Sequence, residues 1–206
     1  MNENLIPNRQ TIEKFLNVIT QDWPNDPEQD GTFEIRCLGE NRTPVTERFA
    51  LHAIDDAIDL AVKMNSLGMN IYTTINPIDS QADHSGKAAT DASILRAHFT
   101  FADADNQRGL DGLKELAALI RLDIVVRTGT RPSSRYHNYW RLAEPCRDLT
   151  QWRQQQADIA NRFDTDRAVI NPSRLMRVAG STTYPSAAKL AQGYSPELTT
   201  LQVRMD

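Results

Sequence analysis

Residues 97–105 read Ala-His-Phe-Thr-Phe-Ala-Asp-Ala-Asp, a strand that ends in two acids. An extended chain turns alternate side chains to opposite faces, so Asp103 and Asp105 point the same way. Two carboxylates side by side at the end of an apolar strand repel, and a cation between them relieves that cost. Hard oxygen ligands suit Mg²⁺ or Mn²⁺, ions that usually serve phosphate chemistry. The competing reading is that Asp105-Asn106-Gln107 only opens a turn and caps a helix starting near Leu110. A bare Asp-x-Asp does not decide between the two.

Downstream, a helix over 110–121 and a strand over 122–128 lead into Gly129–Ser134, a turn, and then a second strand over 136–142. Two β-rich runs around a Gly/Pro/Ser turn predict a hairpin. His137 lies on its second strand. A lone histidine among aromatics is more often packed than functional, but Arg127, Arg131, Arg135 and Arg141 crowd this one. Such a neighbourhood suits a triphosphate or a nucleic-acid backbone, and Tyr136, Tyr139 and Trp140 are of the type that stacks a base. A helix over 149–163 then ends in Asp164-Thr165-Asp166, where acids oppose the helix dipole. Arg174 and Arg177 follow on a short strand over 174–178. Three-residue spacing does not share a face of a regular strand, but a bend at Pro172-Ser173 would bring both toward one phosphate.

Upstream, apolar residues at helical spacing mark 11–20 and 53–67, the second stopped by Gly68. Strands are expected over 32–38, 47–51 and 69–75, a loop over 23–31, and a mobile polar loop over 79–91. Alternating strands and helices indicate α/β or α+β layers. One compact unit is expected over 1–206, with an N-terminal α/β lobe over about 1–90 and a second lobe, carrying the chemistry, over about 91–206. Residues 181–206 are weakly patterned.

The bulk properties narrow the function classes. A chain of 206 residues buries one sizeable core, or two small lobes sharing one. No apolar run approaches the roughly 20 residues of a membrane span, and no basic-then-apolar leader opens the chain, so a cytoplasmic protein is expected. Cys37 and Cys146 sit in no Cys-x-x-Cys, which removes a zinc knuckle. The net charge of −4 argues against a nucleic-acid partner until its distribution is read: acids dominate early, arginines after residue 120.

Taken together, FADAD (101–105), SRYHNYW (134–140) and DRAVINPSRLMRVAGSTTYPSAAK (166–189) resemble the archaeo-eukaryotic primase superfamily. The likeness is to the primase-polymerase domains of plasmid replication proteins and of phage or prophage primases, and it spans roughly residues 70–195. It implies a two-lobed fold whose catalytic half is similar to an RNA-recognition-motif sheet. It implies a DNA primase/polymerase, a template-directed nucleotidyltransferase of plasmid, phage or mobile-element replication. Asp103, Asp105 and Asp166 would ligate two Mg²⁺ or Mn²⁺ ions, with His137 as a fourth catalytic residue touching the nucleotide's phosphates. Arg174 and Arg177 would add charge-assisted hydrogen bonds, with Arg135 and Lys189 as further nucleotide-binding candidates; Tyr139 and Trp140 would be core. Implied partners are a single-stranded DNA template and primer, an NTP or dNTP, and a helicase, since no Gly-x4-Gly-Lys-[Ser/Thr] loop occurs here.

The sequence departs from the family pattern in three places. Arg135 stands where a small residue is common two before the histidine, and Ala179-Gly180-Ser181 replaces Pro-Gly-Thr. Asp164 rivals Asp166 as the third acid. Two other readings remain: a non-catalytic replication-initiator or single-strand-binding module on the same scaffold, and a metal-dependent nuclease.

Overall fold

The computed structural model describes residues 5–23, 31–82 and 88–204. The centres of the two expected loops, 24–30 and 83–87, therefore lie outside the described residues. In chain order the elements are α1 (Arg9–Thr20), β1 (Gly31–Leu38), β2 (Val45–Phe49), α2 (Ile54–Ser66), β3 (Asn70–Thr74), β4 (Ile78–Asp79) and β5 (Ala97–Ala104). Then come α3 (Gln107–Leu119), β6 (Ile124–Gly129), β7 (Arg135–Cys146), α4 (Leu149–Arg162), β8 (Leu175–Arg177), β9 (Thr182–Thr183), α5 (Ala187–Ala191), β10 (Glu197–Leu198) and β11 (Thr200–Val203).

Two antiparallel sheets organise the chain. The first runs β2-β1-β3-β8, with β4 also on β1; the second runs β11-β6-β7-β5. Alternation gives the second sheet two working faces. On one, Phe99, Phe101 and Tyr139 are buried together with Ile124 and Val126, in a core shared with Phe33 and Ile35 of the first sheet and Ile12 and Phe15 of α1. Trp152 of α4 meets Phe101 edge-on at 5.4 Å, and its indole N–H donates to the Phe99 carbonyl. Truncating such a buried aromatic to Ala costs about 3–5 kcal/mol. On the other face, Ala102, Ala104 and Trp140 pack with Leu113 and Leu116 of α3 and with Phe163.

Five expectations shift. The lobes do not divide at residue 90, because β8, from late in the chain, pairs with β3 of the first sheet. The helix expected near Leu110 begins at Gln107, since the Asn106 side chain caps it by accepting the Gly109 N–H. The second hairpin strand continues to Cys146, and the strand placed at 47–51 lies at Val45–Phe49. The weakly patterned tail is folded: β9 pairs with β10, and β11 forms an edge of the second sheet against β6. Among the described residues no helix is long and apolar enough to cross a membrane.

Candidate active site

β5 sets the first acid. Phe99 and Phe101 occupy the buried face, and the next position on that face, Asp103, emerges at the rim of a cleft of about 360 Å³. Asp105, one residue beyond the strand, borders the same cleft. Asn106 rather than either acid caps α3, which leaves both carboxylates free of that duty. The cross-strand partner of Asp103 is His137, just as that of Phe101 is Tyr139. Strand pairing alone thus places the histidine beside the acid.

The third acid arrives by a backbone bond. After α4 the Asp166 N–H donates to the Asp103 carbonyl at 2.8 Å, and the Asp166 side chain lines the cleft. Asp164 instead pairs with Arg108 at 2.9 Å, beside α3. Asp103 Oδ1 is buried with no hydrogen-bond partner. Burial, then Asp105, then Asp166 push the Asp103 pKa up, while Arg177 and Lys189 pull the other way. A buried orphan oxygen among carboxylates fits a cation, and the all-oxygen set fits Mg²⁺ or Mn²⁺. Among the described residues, however, no three His, Cys, Asp or Glu side chains stand close enough to hold a metal ion as they are. The expectation of a ready ligand set is corrected to three acids sharing a cleft. Asp105 and Asp166 are exposed at the cleft, whereas Asp103 is partly buried.

His137 is neutral. Burial first, then Arg177, pushes its pKa down to about 3. Its Nε2 lies 3.6 Å from Asp103 Oδ2, and a neutral imidazole at that distance makes no ion pair. On the other side of the ring Tyr139 Oη lies 3.4 Å from Nδ1. Tyr139 is fully buried, so its hydroxyl needs an acceptor; donating to Nδ1 leaves the ring proton on Nε2, toward Asp103.

Cations form the opposite wall. Arg177 donates to Asn70 Oδ1 at 2.6 Å and to Tyr72 Oη at 2.9 Å, and its guanidinium lies 4.7 Å from the Tyr72 ring centre. Tyr72 is its cross-strand partner, so β3–β8 pairing builds this contact. Arg174 precedes β8 and also lines the cleft; its Nε is buried with no partner. Lys189 of α5 reaches the cleft over the Tyr194 ring at 5.2 Å. Arg174, directly after the turn at Pro172-Ser173, and Arg177 on β8 both line this cleft.

Arg135 borders the cleft too, but its charge is engaged. It pairs with Glu197 at 3.5 Å, donates to the Ser133 carbonyl at 3.1 Å, and stacks on Tyr194 at 4.5 Å. Its guanidinium rests on Gly129, where a Cβ would stand 1.8 Å from Nη2. Gly129 thus makes room for an arginine where the family pattern has a small residue. The expectation that Arg135 binds nucleotide is revised accordingly: it holds the tail against the hairpin. Tyr139 and Trp140 are core, and Tyr136 packs beneath α3 on the far face of the sheet, so none of the three stacks a base in the cleft. Sequence reading missed Asn70, Tyr72, Tyr194 and Glu197. The first two alternate along β3, a readable signal once β8 is known to be its neighbour; the last two lie in the tail.

No protein-family profile matches the chain, and no curated protein does. Among solved structures, the primase-polymerase (PrimPol) AEP domain of cyanophage S-2L superposes with a TM-score of 0.63 at 21% identity, covering 96% of this chain and 90% of that one. Primase RepB′ gives 0.62 at 16% identity, over 94% of this chain and 55% of that chain. The catalytic domain of primase RepB′ in complex with initiator DNA gives 0.60 at 17%, over 96% and 84%. The fold of this chain is that of archaeo-eukaryotic primase domains, as the three sequence segments imply.

Proposed function

We propose that this chain, folded as a primase-polymerase domain, is a template-directed nucleotidyltransferase that makes or extends primers on single-stranded DNA. The observation that carries the reading is one cleft in which Asp103, Asp105, Asp166 and His137 face Arg174, Arg177 and Lys189. Acids opposite cations are what a triphosphate with its divalent ions requires: neither wall alone balances both.

Asp103, Asp105 and Asp166 would hold Mg²⁺ or Mn²⁺, two ions in all. Bound there, the ions supply the charge that acidifies a primer 3′-hydroxyl and neutralises the pyrophosphate leaving group. The chain's own residues do the positioning. Arg177, locked on Asn70 and Tyr72, presents its guanidinium with little freedom left to lose. Arg174 offers an unpaired N–H to a phosphate oxygen. His137, neutral with Nε2–H toward the cleft, donates a hydrogen bond without adding a charge. The arginine-rich second half carries the template and primer, and unwinding falls to a separate helicase partner or domain.

The test is nucleotide incorporation on a primed single-stranded template with Mn²⁺. Wild-type protein should incorporate NTPs or dNTPs, and Asp103→Ala should lose at least about 100-fold, the scale for removing a charge-stabilising group. Cleavage of labelled DNA in place of incorporation would make the site a nuclease. Salt-sensitive DNA binding that survives Asp103→Ala, with no incorporation, would leave a binding module.

A further inference from the structure

Asp91 lies outside the cleft, in a 3₁₀ turn (Asp91–Ser93) at the end of the polar loop. Its carboxylate nevertheless gathers the turn that carries Arg174. Oδ1 accepts from Ser173 Oγ at 2.6 Å, from the Ser173 N–H at 3.2 Å and from Asn171 Nδ2 at 3.3 Å; Oδ2 takes Arg153 of α4. The turn itself is closed by the Arg174 N–H on the Asn171 carbonyl at 3.1 Å. From the other side Asn76 Nδ2 donates to the Pro172 carbonyl at 3.1 Å, and Asn76 is held in turn by the His98 N–H. Burial raises the Asp91 pKa, but the bonds from Ser173 and Asn171 and the charge of Arg153 outweigh it, so the group stays anionic. The residue next in line, Arg174, has an Nε with no partner in the protein.

We infer that Asp91 is the positioning residue for Arg174: by fixing the Asn171–Arg174 turn it aims that guanidinium at a phosphate group of the incoming nucleoside triphosphate. This rests on the nucleotidyltransferase reading. Asp91 touches neither substrate nor the three acids, so its removal acts on nucleotide affinity rather than on the chemical step. The bond from Ser173 Oγ is the shortest of the three on Oδ1, and residue 173 adjoins the arginine. Loosening it lets the guanidinium swing without altering β5 or His137.

The experiment measures KM and kcat for incorporation, and Kd for ATP and for dATP with Mn²⁺ by calorimetry. Asp91→Ala should raise KM and Kd by about 10-fold or more, with kcat within about 3-fold of wild type, matching Arg174→Ala. Ser173→Ala removes only the Oγ bond and should raise both by about 3–10-fold, the worth of one hydrogen bond. Adding Asp91→Ala to Arg174→Ala should change nothing further, because Asp91 acts through Arg174. Multiplying effects in the double variant, or a loss in kcat with KM unchanged, would overturn the inference. Should Asp91→Ala unfold, Ser173→Ala alone and combined with Arg174→Ala decides it. A wild type that binds triphosphate but incorporates none sinks the polymerase reading and leaves the coupling readable in Kd; a wild type that binds none overturns both.

Discussion

The N–H of Asp166 donates to the carbonyl of Asp103 at 2.8 Å, which stitches the loop after α4 to the end of the acidic strand. Asp166 is thereby fixed beside β5 by its backbone, while its own carboxylate accepts the Ala168 N–H. Two residues earlier the chain passes through Asp164 in the left-handed region, φ 53°, and that side chain turns to Arg108. The two acids are near neighbours in sequence and face different surroundings. Asp166→Asn should lower incorporation by about 100-fold or more, and Asp164→Asn by less than about 3-fold, since asparagine tolerates the left-handed conformation and an exposed ion pair is worth under about 1 kcal/mol. Steady-state incorporation by the two variants checks the assignment, and equal losses would refute it.

The same loop is held from below by a glycine. A Cβ on Gly112 of α3 would stand 1.7 Å from the Phe163 carbonyl oxygen, a contact with backbone that no rotamer relieves. Gly112→Ala must therefore push α3 away from residues 163–166. The expected cost is about 1–3 kcal/mol or more, with a fall in incorporation under native conditions because Asp166 moves with that backbone. Urea unfolding followed by tryptophan fluorescence measures the first, and an unchanged midpoint would show that the approach is not tight.

What could be read from sequence, and what could not, divides by the range of the interaction. The face shared by Asp103 and Asp105 follows from period 2, and the hairpin from its turn residues, so the first acids and His137 were legible. Choosing Asp166 over Asp164 was not, because it hangs on a left-handed residue and a backbone bond to a distant strand. The lobe boundary failed for a related reason: β8 is three residues long, and its partner β3 lies a hundred residues upstream. Thr200–Val203 shows no clear alternation because it is a short, half-exposed edge strand. The binding of Arg135 by Glu197 and Tyr194 is not legible in sequence, because it depends on a tail whose short strands pair far from Arg135 along the chain.

Acid should weaken the fold through His98. Arg96 Nε donates to His98 Nε2 at 3.0 Å, so that nitrogen must be unprotonated, and the Trp23 ring lies 6.2 Å away. Burial, then Arg96, pushes the His98 pKa down from 6.5 to about 4. A depressed pKa means the unfolded chain binds the proton first. This contribution is therefore complete above pH 6.5 and is lost as pH falls toward 4. Between those limits wild-type stability should drop by up to about 1.4 kcal/mol per pH unit more than that of His98→Gln. Denaturant midpoints at pH 7, 6, 5 and 4 test this; parallel curves for the two proteins would rule it out.

Tyr139 is core by burial, yet its hydroxyl has a second consequence. The phenol lies against Phe15, Phe99 and Phe101, which fixes the ring, and Oη reaches His137 Nδ1 at 3.4 Å. Removing the hydroxyl leaves the packing intact and frees the imidazole to put its proton on either nitrogen. A proton moved to Nδ1 would point a lone pair from Nε2 at Asp103 and the cleft, where a donor is needed for phosphate. Tyr139→Phe should cost about 1 kcal/mol or less in stability, given the long bond, but lower incorporation by about 3–10-fold. The discriminating measurement is the nitrogen-15 spectrum of His137 at pH 7. Wild type should show Nε2 protonated, and Tyr139→Phe a mixture of the two tautomers. A pure Nε2–H signal in both proteins would mean that Asp103, not Tyr139, sets the ring.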